Sequence, residues 1–268
     1  SIWSRLSRAW RHRREAAAIA RRPIPDGLWR RTLKRFPFLP RAGDPDEIAL
    51  RRLCSLFLDR KEFSGAHGLA ISDDMAVAIA AQACLPVLRL GLQAYDGFVG
   101  IVVHPGQARV RREHVDEVGI VHEYDDVLAG EAVHGGPVML SWRDVRAAGA
   151  AADVGYNVVI HEFAHVLDMA DGVADGMPLL PPTIRAEEWA RTMGAEFADF
   201  CRRVEAGEET ALDPYGAEAI DEFFAVASEA FFVASPAMRA EHAGLHALFV
   251  RYYGFDPGAR PAPIETTA

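Results

Sequence analysis

The spacing of apolar residues predicts that the first third of the chain is helical. Residues 2–20 indicate one helix, and residues 44–58 indicate a second, in which apolar side chains recur at three- and four-residue intervals. A third helix is expected to begin near Ser72, because this serine or an adjacent aspartate can cap the first helical turn. The expected core face of the second helix consists of Ile48, Leu50, Leu53, Leu56 and Phe57.

After Pro86 the pattern changes to short stretches that are rich in β-branched residues. Turn residues separate these stretches, and a glycine pair precedes the last of them. Together they predict a small twisted sheet of four or five strands. The stretches are VLRLGL (87–92), FVGIVVH (98–104), ARVRREHV (108–115), GIVHEY (119–124) and GGPVMLSW (135–142).

The helical pattern returns at about Trp142. Helices are expected at residues 156–169, 187–205 and 220–233, and the loop DGVADGMPLLPP follows the first of them. The predicted fold class is therefore α+β: mostly helical, with the small twisted sheet packed on the helix at residues 156–169.

The same pattern predicts a division of the chain into three parts. An N-terminal helical region is expected at residues 1–85, and a second domain at residues 86–254. Residues 255–268 are rich in proline, which predicts a flexible tail.

Length and composition favour a globular protein of a reducing compartment. With 268 residues, 50% of them hydrophobic, the chain can bury one sizeable core or one core and a smaller satellite. The three cysteines are odd in number and have no CxxC spacing, which argues against a disulfide framework and against a cysteine zinc site. The longest apolar run, residues 75–85, is about half the length of a membrane span. We expect a cytoplasmic protein without a membrane span.

The net charge of −9 is unevenly distributed along the chain. Residues 1–35 contain eleven Lys or Arg against only Glu15 and Asp26, so the remainder is strongly acidic. The arginines leave no apolar core for a cleaved secretory signal. The basic end can contact an acidic lipid or partner, but a solvated helix face packed on an acidic domain is the favoured interpretation. The acidic chain is not expected to bind nucleic acid directly.

The chemistry-bearing motif is NVVIHEFAHVLDMADG, residues 157–172. On a helix His161 and His165 lie one turn apart on the same face, so two imidazole nitrogens can point at one position. Glu162 lies beside them. This HExxH arrangement offers two neutral ligands to Zn²⁺ and a carboxylate that can accept a proton from water.

A buried helix that carries two histidines by chance is the alternative. An HExxH arises by chance in roughly one chain per hundred of this length, mostly on polar helices. Here apolar residues surround the motif, and burying its three polar side chains without partners would cost about 1–3 kcal/mol each. Metal coordination removes that cost, and the zinc interpretation is favoured.

A catalytic zinc site normally has three protein ligands, and the residues leave two routes to the third. In the HExxHxxGxxH register Asp171 is the ligand, but Asp168 stands where that pattern has glycine. Alternatively the ligand is a glutamate on another helix. DEFFAVASEAFF (221–232) offers Glu222 and Glu229, seven residues apart on the same face of an apolar helix. The second route is favoured.

Three blocks of the sequence resemble the Mlc titration factor A (MtfA) family of bacterial zinc metallopeptidases, whose catalytic domain is similar to that of anthrax lethal factor. The blocks occur in the family's order, and the resemblance runs from about Pro86 to Asp256. It extends more weakly into the N-terminal helices. The blocks are GEAVHGGPVMLSW (130–142), HEFAHVLDMADG (161–172) and DPYGAEAIDEFFAVASEAFF (213–232).

The resemblance implies a site and a fold. In that family the two motif histidines and a glutamate seven residues after a tyrosine hold the metal. Tyr215 plus seven is Glu222, so the resemblance selects His161, His165 and Glu222 as ligands of one Zn²⁺ per chain. It implies a zincin-like domain of the gluzincin type at residues 86–254. Glu162 is then the general base, and the phenol of Tyr215 stabilises the oxyanion.

Three further roles are expected around these residues. Without the family resemblance, Tyr215 would be interpreted as part of a turn formed by the DPYG segment. Glu229 becomes a carboxylate that supports the ligands or the structure. Asp168 either orients a ligand imidazole or is solvated near the end of the helix.

The resemblance also implies a function: hydrolysis of a peptide or protein substrate, similar to that of an aminopeptidase. An Mlc-like transcriptional repressor is a further expected partner, because the family is named for titrating Mlc. The alternative is a regulatory protein that sequesters such a partner and has secondary peptidase activity. A structural zinc site is disfavoured, since such sites close all four positions and favour cysteine.

Overall fold

The computed structural model describes residues 13–106, 136–149 and 155–259. Residues 13–21 are helical, and the elements that follow are numbered in chain order. The helices are α1 (Asp26–Arg35), α2 (Pro45–Arg60), α3 (Asp73–Cys84), α4 (Trp142–Ala147), α5 (Val158–Asp168), α6 (Ala186–Glu205), α7 (Ile220–Val233), α8 (Ser235–Glu241) and α9 (Ala243–Tyr253). The strands are β1 (Glu62–Gly65), β2 (Gly100–His104) and β3 (Val138–Ser141). The described part is therefore mostly helical with a small sheet, as predicted.

The described strands form a parallel sheet in the order β1–β2–β3. Phe63 of β1 pairs with Ile101 of β2, and Val103 of β2 pairs with Leu140 of β3. The sheet draws β1 from the first 85 residues and the other two strands from the rest of the chain. Helix α3 connects β1 to β2, in agreement with the crossover that parallel strands require. The division of the chain at residue 85 stays a prediction.

The predicted strands are confirmed in part. The stretches at 98–104 and 135–142 contain β2 and β3, whereas those at 108–115 and 119–124 lie outside the described residues. The strand predicted at 87–92 is wrong, because this segment forms turns that lead into a short 3₁₀ helix, Leu92–Tyr95. Val87, Leu88 and Leu92 are buried in the turns, and a short buried run has the same composition in a turn as in a strand. Strand β1 was not predicted, since four residues are too few to show alternation.

The predicted helices at 156–169, 187–205 and 220–233 are confirmed as α5, α6 and α7. Ser72 caps α3 as predicted, because its hydroxyl accepts a hydrogen bond from the Met75 amide at 3.3 Å. Asn157 caps α5 in the same manner, accepting from the Ile160 amide at 3.0 Å. Among the described residues, no helix combines the length and the apolar character that crossing a bilayer requires.

The core face predicted for α2 is correct except at Ile48. Leu50 and Phe57 are fully buried, but 63% of Ile48 is exposed. Glu47 takes the inward position in its place, because its carboxylate accepts a hydrogen bond from the buried indole N–H of Trp29. A polar partner for the tryptophan thus replaces one apolar position of the predicted buried face.

Aromatic side chains join the N-terminal helices, the sheet and α5 around Phe163. The ring of Phe163 lies 5.0 Å from that of Tyr95, 5.6 Å from Phe98 and 5.8 Å from Phe57, measured between centroids. The phenol of Tyr95 donates a hydrogen bond to the carbonyl oxygen of Ala83 at 2.9 Å. This cluster packs against the buried face of α5, and the two histidines lie on a different face of the helix.

A second aromatic cluster positions α7. Trp189 of α6 contacts Phe224 of α7 and stacks on Phe249 of α9, at centroid distances of 6.0 and 5.8 Å. Helix α7 packs against α5 as well. The second cluster therefore sets the position from which α7 presents its glutamates to the histidines of α5.

The buried face of α2 gives a stability prediction. We expect Phe57→Ala to lower the free energy of unfolding by about 3–5 kcal/mol, because the ring is fully buried against three aromatic neighbours. Ile48→Ala, on the exposed side of the same helix, should change it by less than about 0.5 kcal/mol. Urea denaturation of both variants measures the difference, and equal losses would contradict the described orientation of α2.

Candidate metal centre

Helix α5 presents its two histidines on the face that meets α7. Val159, Ile160 and Phe163 are fully buried on its other sides, which fixes the rotation of the helix. His161 and His165 each keep 13% of their side-chain surface exposed. The two imidazoles are thus mostly buried, with a small part of each at the protein surface.

Three side chains converge between α5 and α7. The Nε2 atoms of His161 and His165 lie 3.2 Å apart. Glu222 Oε2 lies 3.2 Å from His161 Nε2 and 3.4 Å from His165 Nε2. Among the residues that the structure describes, these three form the only group of histidine, cysteine or carboxylate ligands arranged to hold a metal ion.

The donor set fits a tetrahedral cation such as zinc. Ligands at about 2.0–2.1 Å from Zn²⁺ in tetrahedral geometry are separated from each other by about 3.3–3.4 Å, which the observed separations match closely. Glu222 Oε2 is buried and has no hydrogen-bond partner in the described ranges. A buried carboxylate oxygen without a donor is costly unless a cation neutralises it. Two imidazoles and one carboxylate also form a common set for catalytic zinc.

The electrostatics of this group are dominated by its carboxylates. Burial lowers the pKa of His161, but the adjacent carboxylates of Glu222 and Glu229 outweigh burial and raise the pKa well above its usual value. Burial raises the pKa of Glu222, yet the two adjacent histidines hold the pKa well below the usual range. The carboxylates thus stabilise the protonated histidines, and the histidines stabilise the ionised carboxylates. The negative charge of the carboxylates also favours a metal cation at this position.

Glu162 is the neighbouring carboxylate that the motif predicts. Burial raises the pKa of Glu162, and the nearby imidazoles of His161 and His165 oppose that effect. A carboxylate whose pKa is raised toward neutrality is a stronger proton acceptor than an exposed one. A carboxylate in this environment can accept a proton from water.

Tyr215 lies beside the same group. It belongs to a 3₁₀ helix, Pro214–Ala217, which Asp213 caps by accepting a hydrogen bond from the Tyr215 amide at 3.0 Å. Its ring centroid lies 6.1 Å from that of His161. Burial and the neighbouring Glu222 carboxylate raise the pKa of the phenol, so it keeps its proton. The turn interpretation of the DPYG segment is therefore confirmed, and this turn holds Tyr215 next to His161.

Glu229 lies on the opposite side of the His161 ring from Glu222. Its Oε1 is 2.7 Å from His161 Nδ1, whereas Glu222 faces Nε2. The two glutamates occupy the same face of α7, two turns apart, as their seven-residue spacing predicts. The structure therefore places Glu222 with the two Nε2 atoms and Glu229 behind one ring.

The remaining predicted residues have other roles. Asp171 is exposed, and its carboxylate accepts a hydrogen bond from the Val173 amide at 3.0 Å, so it does not join the histidines. Asp168 is fully buried, and it accepts from the Gly176 amide at 3.0 Å rather than from an imidazole. Burial raises the pKa of Asp168 to about 6. Both expectations for Asp168, an imidazole partner and a solvated side chain, are wrong because the carboxylate fastens the following loop.

Two buried polar residues near Glu229 were not predicted as part of the site. Asn157 and Gln82 are completely buried and bonded to each other, and Asn157 also contacts Glu229. A signal was present in the sequence: Gln82 interrupts the longest apolar run, and a polar side chain inside such a run needs a partner. What the sequence could not indicate was which partner it meets.

Known proteins are similar to most of this chain. A family model described as glucose-regulated metallo-peptidase M90 matches residues 7–254. A protein of Cronobacter sakazakii named Mlc titration factor A is 34% identical over 94% of this chain and 93% of its own length. A second Mlc titration factor A, from Pectobacterium atrosepticum, is 34% identical over 84% of this chain and 85% of its own length. A Synechocystis protein, slr2042, is 32% identical over 92% of this chain and 89% of its own length.

Proposed function

The chain belongs to the glucose-regulated metallo-peptidase M90 family, and on that premise we propose that it is a zinc-dependent peptidase whose ion is held by His161, His165 and Glu222. The observation that carries this proposal is the convergence of two imidazole nitrogens and one carboxylate oxygen within 3.4 Å of each other. We also propose a zincin-like architecture of the gluzincin type for residues 86–254. Two histidines from α5 and a glutamate from α7 support it.

We propose a role in the reaction for each residue that lies next to the metal ligands. When bound, Zn²⁺ would act as a Lewis acid that polarises the scissile carbonyl and acidifies water. Glu162 takes the proton from the attacking water and later delivers it to the leaving amine. Tyr215 donates its phenolic hydrogen to the oxyanion of the tetrahedral intermediate. The raised pKa of the phenol serves this role, because only the protonated form can donate.

Tyr215→Phe tests the last of these roles. Loss of one oxyanion donor should lower kcat about 10²- to 10³-fold. Zinc affinity should be unchanged, because the phenol is not one of the three ligands. Steady-state kinetics and a zinc titration measure the two quantities. Tyr252→Phe, which removes a phenol from α9, is the matched control and should retain activity. A Tyr215→Phe enzyme of normal kcat would remove this residue from the mechanism.

Cleavage of a peptide library by the zinc-loaded protein tests the proposed function. We expect hydrolysis that a chelator abolishes and that added zinc restores. Aminopeptidase-like action is proposed on the family resemblance, and it predicts loss of the first residue from peptides with a free amino terminus. N-acetylated copies of the same peptides should then resist cleavage. A zinc-loaded protein that cleaves no member of either set would contradict the proposal.

A second proposed function is binding of a transcriptional repressor of the Mlc type. It is supported by the relatives that carry the name Mlc titration factor A and align with most of this chain. A pull-down with the Glu162→Gln protein separates the two functions, because sequestration should not require hydrolysis. If the immobilised variant retains the purified repressor, the protein binds the repressor without needing peptide hydrolysis. If the variant does not retain the repressor, the proposal of repressor binding is wrong.

We further propose that the protein works in a reducing compartment, the cytoplasm. Its three cysteines support this assignment, because all are free thiols and two of them, Cys54 and Cys84, are buried. Thiol titration of protein purified without reductant should return three free cysteines.

A further inference from the structure

Glu229 accepts two hydrogen bonds in a site from which solvent is almost excluded. Only 2% of the residue is exposed. Its Oε1 lies 2.7 Å from Nδ1 of His161, and its Oε2 accepts from the backbone amide of Asn157. Because a backbone N–H can only donate, the second oxygen is committed to Asn157. The first oxygen is thereby left facing the imidazole.

The partners of Glu229 are themselves anchored in the core. Asn157 Nδ2 donates to Gln82 Oε1 at 2.8 Å, and Gln82 Nε2 donates to the carbonyl oxygen of Ala78 at 3.0 Å. The orientation of both amides is determined by backbone groups: the Ile160 N–H requires the Asn157 oxygen, and the Ala78 carbonyl requires the Gln82 nitrogen. A continuous chain of hydrogen bonds therefore connects helix α3, which supplies no metal ligand, to His161.

A carboxylate is the only side chain that satisfies both donors at position 229. If Nδ1 of His161 carries the proton, that N–H and the Asn157 amide both need an acceptor, and a carboxylate offers one oxygen to each. Glutamine has a single acceptor oxygen, so its amide NH₂ group would face one of the two donors. With the proton held on Nδ1, the Nε2 lone pair of His161 points toward His165 Nε2 and Glu222 Oε2.

We propose that Glu229, anchored through Asn157 to Gln82, is a positioning residue that fixes the tautomer and the ring orientation of His161. This inference rests on the proposed metal site and extends it to three residues that are not ligands. Glu229 acts through His161 and does not touch the substrate. The prediction is that zinc affinity depends on the chain of hydrogen bonds as far as helix α3.

Glu229→Gln tests the inner end of this chain. We expect its dissociation constant for zinc, measured by competition with a chromogenic chelator, to rise about 10- to 100-fold. The matched control is Ser228→Ala on the same helix. Ser228 is fully buried and bonded to the Tyr253 hydroxyl at 2.8 Å, outside the chain of hydrogen bonds. The control loses a buried hydrogen bond as well, but its zinc affinity should stay within about threefold of the original protein.

Two further readouts separate positioning from a general loss of structure. In the zinc-loaded protein the Nδ1 proton of His161 should give a downfield proton resonance that shifts or disappears in Glu229→Gln and persists in Ser228→Ala. Gln82→Met, which removes the outer anchor at similar volume, should weaken zinc binding by less than Glu229→Gln does. Unchanged zinc affinity in Gln82→Met would remove Gln82 from the chain.

The outcomes distinguish this inference from the proposed function. Unchanged zinc affinity in Glu229→Gln, when the original protein binds zinc stoichiometrically, would overturn the positioning role and leave the metal site intact. Failure of the original protein itself to bind zinc would overturn both. The positioning role is supported if Glu229→Gln loses zinc affinity and the Nδ1 proton resonance of His161 while Ser228→Ala keeps both.

Discussion

Glu162→Gln should lower kcat for peptide hydrolysis about 10²- to 10⁴-fold without releasing zinc. The substitution keeps the size of the side chain and removes only its ability to accept a proton. His161, His165 and Glu222 are left in place, so the metal remains bound and its affinity should equal that of the original protein. Because Glu162 lies beside the ligands rather than among them, loss of activity and loss of metal are separable at this position.

The measurement for Glu162→Gln is a pair of assays on the same preparation. Elemental analysis gives the zinc content, and initial rates on a cleaved library peptide give kcat. Glu187→Gln is the matched control, because Glu187 is an exposed glutamate of α6 away from the histidines. Its kcat should be normal. Full turnover by Glu162→Gln would rule out its role as general base, whatever the metal content.

His165→Ala should lose zinc itself. Removing one of three protein ligands leaves two donors, and affinity should fall by more than the roughly 10- to 100-fold that loss of a supporting partner costs. Activity disappears as a consequence. Glu222→Ala should behave in the same manner, since the structure places its Oε2 with both Nε2 atoms.

Elemental analysis after dialysis, followed by chelator competition, measures the metal loss. His67→Asn is the control, because His67 is exposed and distant from the ligand group in the chain, and asparagine tolerates its positive φ of 53°. The control should retain one zinc per chain. If His165→Ala or Glu222→Ala also retained one zinc per chain, the assigned ligand set would be wrong.

Several parts of the site follow from local sequence. A helix from 156 to 169 was predicted because its apolar residues recur at helical spacing within one continuous stretch. The pairing of His161 with His165 follows from helical geometry alone. Strands β2 and β3 were likewise visible as β-branched runs bounded by glycine and proline.

Other parts depend on segments that meet only in the folded chain. The residues alone left Glu222, Glu229 and Asp171 as possible third ligands, and family resemblance was needed to select Glu222. Asp168 was expected to be near a histidine or in water. It is instead buried against the Gly176 amide, a partner eight residues away in a loop with no regular pattern.

The sequence by itself therefore determined helices α2, α3, α5, α6 and α7, two of the strands and the spacing of the HExxH motif, because each depends on hydrogen bonds and side-chain periodicity within a few residues. The residues alone did not decide which glutamate of α7 reaches both imidazoles; the family resemblance selected Glu222, and the tertiary structure places its carboxylate with both Nε2 atoms and that of Glu229 against Nδ1 of His161. That outcome depends on how α7 packs against α5. The aromatic contacts of Trp189, Phe224 and Phe249 hold α7 against α6 and α9 in the position that this packing requires. The energy of such packing is the total of many weak contacts between segments that are far apart in the sequence, so no single stretch of sequence predicts it.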